Sequence, residues 1–190
     1  MYENIEHCKS RLLTLLREKS LRRGRFLLKS GAWSDYYIDG KQTSLDPEGA
    51  YLIGRILFET IRSRQPFPAG IGGVTLGADP LVTATSVISF MHGSPLPAFI
   101  IRTTPKDHGT RRWIEGSENL AQGGEVVLVE DVLTTGGTIL EGARHVREEG
   151  FRVGAVYALI DRQEGAERTL LAQGIPLVAL FTKDDLLASP

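Results

Sequence analysis

Residues 126–138 read Val126-Val127-Leu128-Val129-Glu130-Asp131-Val132-Leu133-Thr134-Thr135-Gly136-Gly137-Thr138. Four apolar residues in a row fit a strand buried on both faces, as in a parallel sheet, with the strand placed at Val126 to Glu130. Open α/β sheets bind ligands at the carboxyl ends of their strands, which is where this reading puts Glu130 and Asp131. From Thr134 to Thr138 the backbone can turn several N–H groups and hydroxyls toward one point. The helix expected to follow adds the positive end of its dipole, so the turn suits a phosphate. The neighbouring carboxylates would repel a bare phosphate. A ligand with phosphate at one end and hydroxyls or a metal at the other, such as a ribose 5-phosphate, meets both conditions. No Gly-x-x-x-x-Gly-Lys-Ser/Thr occurs, and no Gly-x-Gly-x-x-Gly opens a helix near the N-terminus, so kinase and dinucleotide readings recede.

The rest of the chain narrows the class of protein. Its 190 residues suit one domain over 1–190 with a real core, and no linker interrupts them. A formal net charge of -1 gives no electrostatic basis for nonspecific nucleic-acid binding, so a small molecule is the expected partner. The one cysteine, Cys8, cannot form an intramolecular disulfide and fits a reducing compartment. No apolar run approaches the roughly 20 residues needed to span a bilayer. The start Met-Tyr-Glu-Asn-Ile-Glu lacks a basic signal region, so the expected location is the cytoplasm, away from membranes.

Ile5, Cys8, Leu12 and Leu16 recur at helical spacing and predict an amphipathic helix over 3–19, ended by the basic stretch Leu21 to Arg25. Arg25 to Lys29 and Tyr36 to Asp39 read as an antiparallel pair. Pro47 is placed to open a helix running to about Arg64. Apolar strands then fall near Ala69 to Val74, Ala98 to Arg102, Val126 to Glu130 and Val153 to Ile160. Helices near Pro80 to Met91 and Gly137 to Glu149 lie between them, and the alternation argues for parallel βαβ units. A helix near Ala166 to Ala172 and a strand near Leu177 to Phe181 close the sheet, and the tail after Lys183 carries no signal. Between Arg102 and Glu125 no helical pattern appears. That long loop holds Lys106, Asp107, His108, Arg111 and Arg112 with Gly109 and Gly116, so it reads as a charged, hinged lid over about 103–118. It leaves a strand expected to neighbour the cradle.

The strand, acidic pair and Thr/Gly-rich loop resemble the signature of the type I phosphoribosyltransferases, and more narrowly the chain resembles the orotate phosphoribosyltransferase family. Phe26-Leu-Leu-Lys-Ser-Gly with Ser34-Asp-Tyr-Tyr-Ile-Asp is similar to that family's N-terminal hood. Lys106-Asp-His-Gly is similar to its catalytic loop, and Asp161-Arg-Gln-Glu-Gly to its base-binding turn. These matches fall in family order. The resemblance implies an α/β fold with a central, mainly parallel sheet flanked by helices, a hood over about 1–45 and a core over about 46–183. It implies magnesium-dependent transfer of ribose 5-phosphate from phosphoribosyl pyrophosphate to orotate in pyrimidine synthesis. It also implies a homodimer in which each lid closes over the partner's site.

Residue by residue, the resemblance assigns catalysis to Lys106, His108 and Asp131. Phosphoribosyl pyrophosphate falls to Lys29, Thr75, Leu76, Arg102, Thr103, Lys106 and His108, and to the run Glu130, Asp131, Val132, Leu133, Thr134, Thr135, Gly136, Gly137 and Thr138. Orotate falls to Lys29, Tyr37, Ile38, Thr134 and Arg162. No protein metal cage is expected, because magnesium usually keeps waters and rides on substrate phosphates. The chemistry suits these residue types. Breaking the anomeric bond leaves a cationic ribose that carboxylates favour and a pyrophosphate anion that cations hold. Arg162 offers a planar fork for the orotate carboxylate.

Two departures from the family pattern stand out: the Gly72 to Leu81 loop has no lysine, and Thr103 stands where Arg-Lys is commoner. Loss of that ammonium removes a charge-assisted hydrogen bond worth roughly 1.5–3 kcal/mol. Two other functions share parts of this pattern. A phosphoribosyltransferase for another base would keep the cradle without needing Arg162. A non-catalytic sensor of the sugar phosphate would be expected to lose the lid or to append a nucleic-acid-binding element.

Overall fold

The computed structural model describes residues 4–27, 31, 33–105 and 112–188. Lys29, Lys106, His108 and Arg111 therefore lie outside the described residues. Helix α1 (Ile5–Leu15) is capped by Asn4, whose side chain accepts from the Glu6 amide at 2.8 Å. Its stripe of Cys8, Leu12 and Leu15 is buried, and the chain continues through a π-helical turn over Leu16–Ser20. The basic stretch that follows does more than end a helix. Strand β1 (Leu21–Leu27) pairs antiparallel with β2 (Trp33–Ile38), from Leu21 opposite Ile38 to Leu27 opposite Trp33. Most of β1 is exposed, so backbone pairing holds it and no apolar period betrays it.

After a short helix α2 (Lys41–Ser44), Asp46 caps α3 (Pro47–Ile61) by accepting from the amides of Glu48 and Gly49, with Pro47 in the first turn. The chain then alternates: β3 (Gly70–Val74), α4 (Asp79–Met91), β4 (Ala98–Ile101), β5 (Ile114–Glu115), β6 (Glu125–Leu133), α5 (Gly137–Glu148), β7 (Arg152–Asp161), α6 (Ala166–Leu171) and β8 (Leu177–Thr182). A last helix, α7 (Lys183–Leu187), begins in the tail that carries no periodic signal. Thr182 and Asp185 fix its start through reciprocal capping bonds.

The main sheet has the order β5-β4-β3-β6-β7-β8, parallel throughout except for β5. Helices cover both faces, which explains the unbroken apolar run in β6. Val127 and Val129 pack into one cluster with Leu52, Ile53 and Leu81, whereas Val126 and Leu128 pack into another with Ile139, Val146 and Leu170. All four are fully buried, each worth about 1.5–3 kcal/mol relative to exposure. One expectation changes. The lid leaves β4, which neighbours β3 and not β6, so its base flanks the Gly72 to Leu81 loop rather than the cradle directly.

Candidate active site

Strand β6 does not stop at the acids. Val132 and Leu133 extend it, pairing with Ile160 and Asp161 of β7, so Glu130 and Asp131 lie inside the last turn of the ladder. Asp131 is buried. One of its oxygens accepts from the Val132 amide at 2.9 Å, and the other lies 3.7 Å from the Lys41 ammonium. Lys41 in turn pairs with Asp39 at 2.9 Å. The hydrogen bond that Lys41 donates to Asp39, with a smaller contribution from the charge of Asp131, holds the pKa of the Lys41 ammonium above its ordinary value despite partial burial. Sequence reading missed Lys41, a single lysine in a four-residue helix.

Glu130 behaves differently from its neighbour. Burial first, then the charge and hydrogen bonding of Asp131, push its pKa up to about 8, with Lys41 opposing. Its Oε2 is buried with no hydrogen-bond partner among the described residues. Glu130 lines a recess of about 70 Å³ with Val132, Leu133 and the run from Thr134 to Ile139. A buried acid with a vacant oxygen needs a polar partner, and ligand hydroxyls would supply one.

The recess is the cradle. Gly136 sits at φ 87°, a left-handed backbone that glycine adopts without strain, and it turns the chain directly into α5. No side chain caps α5, and its first turn holds no acid, whereas His145 and Arg147 occupy its last turn. The first amides of such a helix have no intrahelical acceptor, so they and the dipole are left for an anion.

A second loop presses on the acids from β3. Thr75 donates its hydroxyl to Asp79 at 2.7 Å and its amide to Ile101 at 2.9 Å, the Thr75-Leu76 peptide is cis, and Leu76 is exposed. A Cβ on Gly77 would fall 2.4 Å from Asp131 Oδ1, so only glycine lets the loop approach this closely.

The lid's base is closed like a zip. The Arg102 amide donates to the Trp113 carbonyl at 2.8 Å, and its guanidinium reaches the Thr104 carbonyl and Glu115 at 3.1 Å. Trp113 stacks on His145 of α5 with ring centroids 3.8 Å apart. Arg112 of the same loop pairs with Glu118 at 2.6 Å. Trp113 was overlooked, although an aromatic in a charged loop is itself a signal of packing. Thr103 is exposed beside this base.

The Asp161 to Gly165 turn is bonded to the end of β6, since the Arg162 amide donates to the Leu133 carbonyl at 2.9 Å. The guanidinium of Arg162 lies 5.6 Å from the ring of Tyr36, a hood residue that sequence reading did not single out. Tyr37 is on the other face of β2 against Phe26, with centroids 5.7 Å apart, and the Ile38 side chain is buried in the core. Around one rim the structure therefore brings together the acids, the cradle, the Gly77 loop, the Arg162 turn and Tyr36. Among the described residues no group of three or more His, Cys, Asp or Glu could hold a metal ion.

The phosphoribosyl transferase domain model matches residues 73–170, from the β3 loop to α6. The orotate phosphoribosyltransferase of Sorangium cellulosum is 43% identical over 179 residues, covering 94% of this chain and 93% of that protein. That of Aquifex aeolicus is 41% identical over 182 residues, covering 94% and 97%. Among solved structures, Mycobacterium tuberculosis orotate phosphoribosyltransferase in complex with Fe(III) dicitrate superposes with a TM-score of 0.81 at 36% identity, covering 94% of this chain and 98% of that one. The same enzyme in complex with 5-phospho-alpha-D-ribosyl 1-diphosphate gives 0.77 at 33% identity, covering 95% and 99%.

Proposed function

The chain belongs to the orotate phosphoribosyltransferase family, and on that premise we propose that it transfers ribose 5-phosphate from phosphoribosyl pyrophosphate to orotate. The products are orotidine 5'-monophosphate and pyrophosphate, in de novo pyrimidine synthesis. One observation carries the choice of base: Arg162, whose planar fork suits a carboxylate, is anchored to the end of the strand that leads into the cradle. A neutral base gives that fork nothing to bind.

In this reading Thr134 to Thr138 hold the 5-phosphate, and Glu130 and Asp131 accept the ribose 2- and 3-hydroxyls. The bond from the anomeric carbon to pyrophosphate oxygen breaks, the bond to orotate nitrogen forms, and the proton on that nitrogen passes to the departing pyrophosphate. Asp131 favours the cationic ribose between these events. Thr75 and Leu76, on the loop that abuts Asp131, lie on the side where pyrophosphate departs, next to the base of the lid. Lys29, Arg102, Thr103, Lys106 and His108 are assigned to that anion through the family motifs that they match. Arg102 would have to leave Glu115 to reach it. Thr134, Tyr37, Ile38 and Lys29 are assigned to orotate on the same basis.

The hard oxygens of Glu130 and Asp131, one of them unpartnered, fit a magnesium ion carried in on the substrate's phosphates, where it would neutralise the leaving group. A homodimer is supported by the exposed apolar residues Val87, Phe90 and Met91 on α4 and Leu76 just before it, and lids acting in trans are assigned through the family resemblance. Among the described residues no helix is long and apolar enough to cross a membrane, which is consistent with the proposed cytoplasmic location. Mixing the protein with magnesium, phosphoribosyl pyrophosphate and orotate should deplete the orotate absorbance. Consumption of uracil or a purine instead would contradict the proposal.

A further inference from the structure

Arg162 does not present an empty fork. Its Nη2 lies 2.7 Å from Oε1 of Glu164, in the same turn, while its Nε is buried with no hydrogen-bond partner among the described residues. An arginine grips a carboxylate with two bonds through one of two edges, Nε with Nη2 or Nη1 with Nη2. The Arg11–Glu48 pair of this chain uses the first, with Nε to Oε1 at 2.9 Å and Nη2 to Oε2 at 2.8 Å. Nη2 belongs to both edges. Glu164 therefore sits on the one nitrogen that any bidentate carboxylate ligand needs, and it leaves half of the side-on edge unused.

The two partners are not equally fixed. The Arg162 side chain is 13% exposed, held by the ring of Tyr36 and by its own amide on Leu133, whereas the Glu164 side chain is 38% exposed. The arginine stays and the glutamate can swing into solvent.

We propose that Glu164 is an internal stand-in for the carboxylate of the base. It pairs with Arg162 before the base arrives and must be displaced by an incoming orotate carboxylate, so it sets the affinity for orotate and not that for a neutral base. Only an anion of the right reach can displace it, and a base without a carboxylate leaves it in place. The inference rests on the proposed orotate transfer.

The test is Glu164→Gln, which keeps the shape of the turn and removes the competing charge. The KM for orotate should fall about two- to fivefold, the worth of one partly exposed ion pair. The turnover number, the KM for phosphoribosyl pyrophosphate and inhibition by uracil should stay as in the wild type. In an Arg162→Lys background the same substitution should leave the orotate KM unchanged, because the shared nitrogen is gone. A higher orotate KM in Glu164→Gln would show that Glu164 positions Arg162 instead, and an unchanged KM would show that the pair has no weight. Either result overturns the inference, as does a shift that persists without Arg162. Wild-type protein that consumes no orotate would overturn the functional reading itself.

Discussion

Glu130 holds a proton that glutamates ordinarily release. Its pKa is near 8 in the folded chain against 4.5 for the free group, so in the window between them the folded protein is protonated and the unfolded chain is not. Folding then takes up a proton, and stability falls as pH rises through that window, by at most about 1.4 kcal/mol per pH unit. Above about pH 8 the loss is complete. Glu130→Gln cannot titrate, so its Tm should decline less than the wild type between pH 6 and pH 8.5. At the upper pH the variant should be the more stable protein, and parallel Tm profiles would show that Glu130 is not the group responsible. Above about pH 8, where the wild-type group is a carboxylate, the same variant should bind phosphoribosyl pyrophosphate more weakly, because an amide is a poorer acceptor of ribose hydroxyls.

At the scale of elements, the site is three loops and a strand end pressed together. Gly77→Ala drives a methyl to 2.4 Å from Asp131 Oδ1. It should cost about 1–3 kcal/mol of stability, the usual penalty for overpacking, and raise the KM for phosphoribosyl pyrophosphate more than that for orotate. Denaturant melts and initial rates measure both. If the lid brings charge to the leaving group, as proposed, Lys106→Ala should lower turnover by about two to three decades with little change in the orotate KM. Equal losses in both parameters would remove Lys106 from the leaving group.

The strands β3, β4, β6, β7 and β8 were legible because a parallel sheet buried on both faces writes itself as apolar runs. The cradle was legible because its residues are contiguous. The antiparallel pairing of β1 with β2 was legible, but the start of β1 was placed at Arg25 rather than Leu21 because pairing and not burial holds it, and β5 is only two residues long. The end of β6 was misplaced because the acids interrupt the apolar run while Val132 and Leu133 keep the ladder going. Lys41, Tyr36 and Trp113 gain their meaning from contacts across the fold, with Asp131, Arg162 and His145, and no local pattern marks the first two.

Across the whole molecule, the proposal puts the ribose phosphate at the carboxyl edge of one sheet, with distant segments choosing the base and drawing off the anion. If the lid acts on the neighbouring subunit, an inactive Lys106→Ala chain mixed with an inactive Asp131→Ala chain should regain activity. A quarter-strength recovery is expected from random exchange, since one heterodimer site pairs two intact halves; no recovery after proven exchange would mean that each site is built from one chain. The central claim is orotate specificity written by Arg162 beside a ribose-phosphate cradle. Its most direct test is the kcat/KM of the purified protein with phosphoribosyl pyrophosphate and magnesium, measured in parallel for orotate, uracil, adenine and hypoxanthine. Orotate should be converted to orotidine 5'-monophosphate with one pyrophosphate released per turnover, and the other bases should react at least a hundredfold more slowly, about the loss of one charged bidentate contact. Comparable rates with a base that lacks the carboxylate would contradict the account.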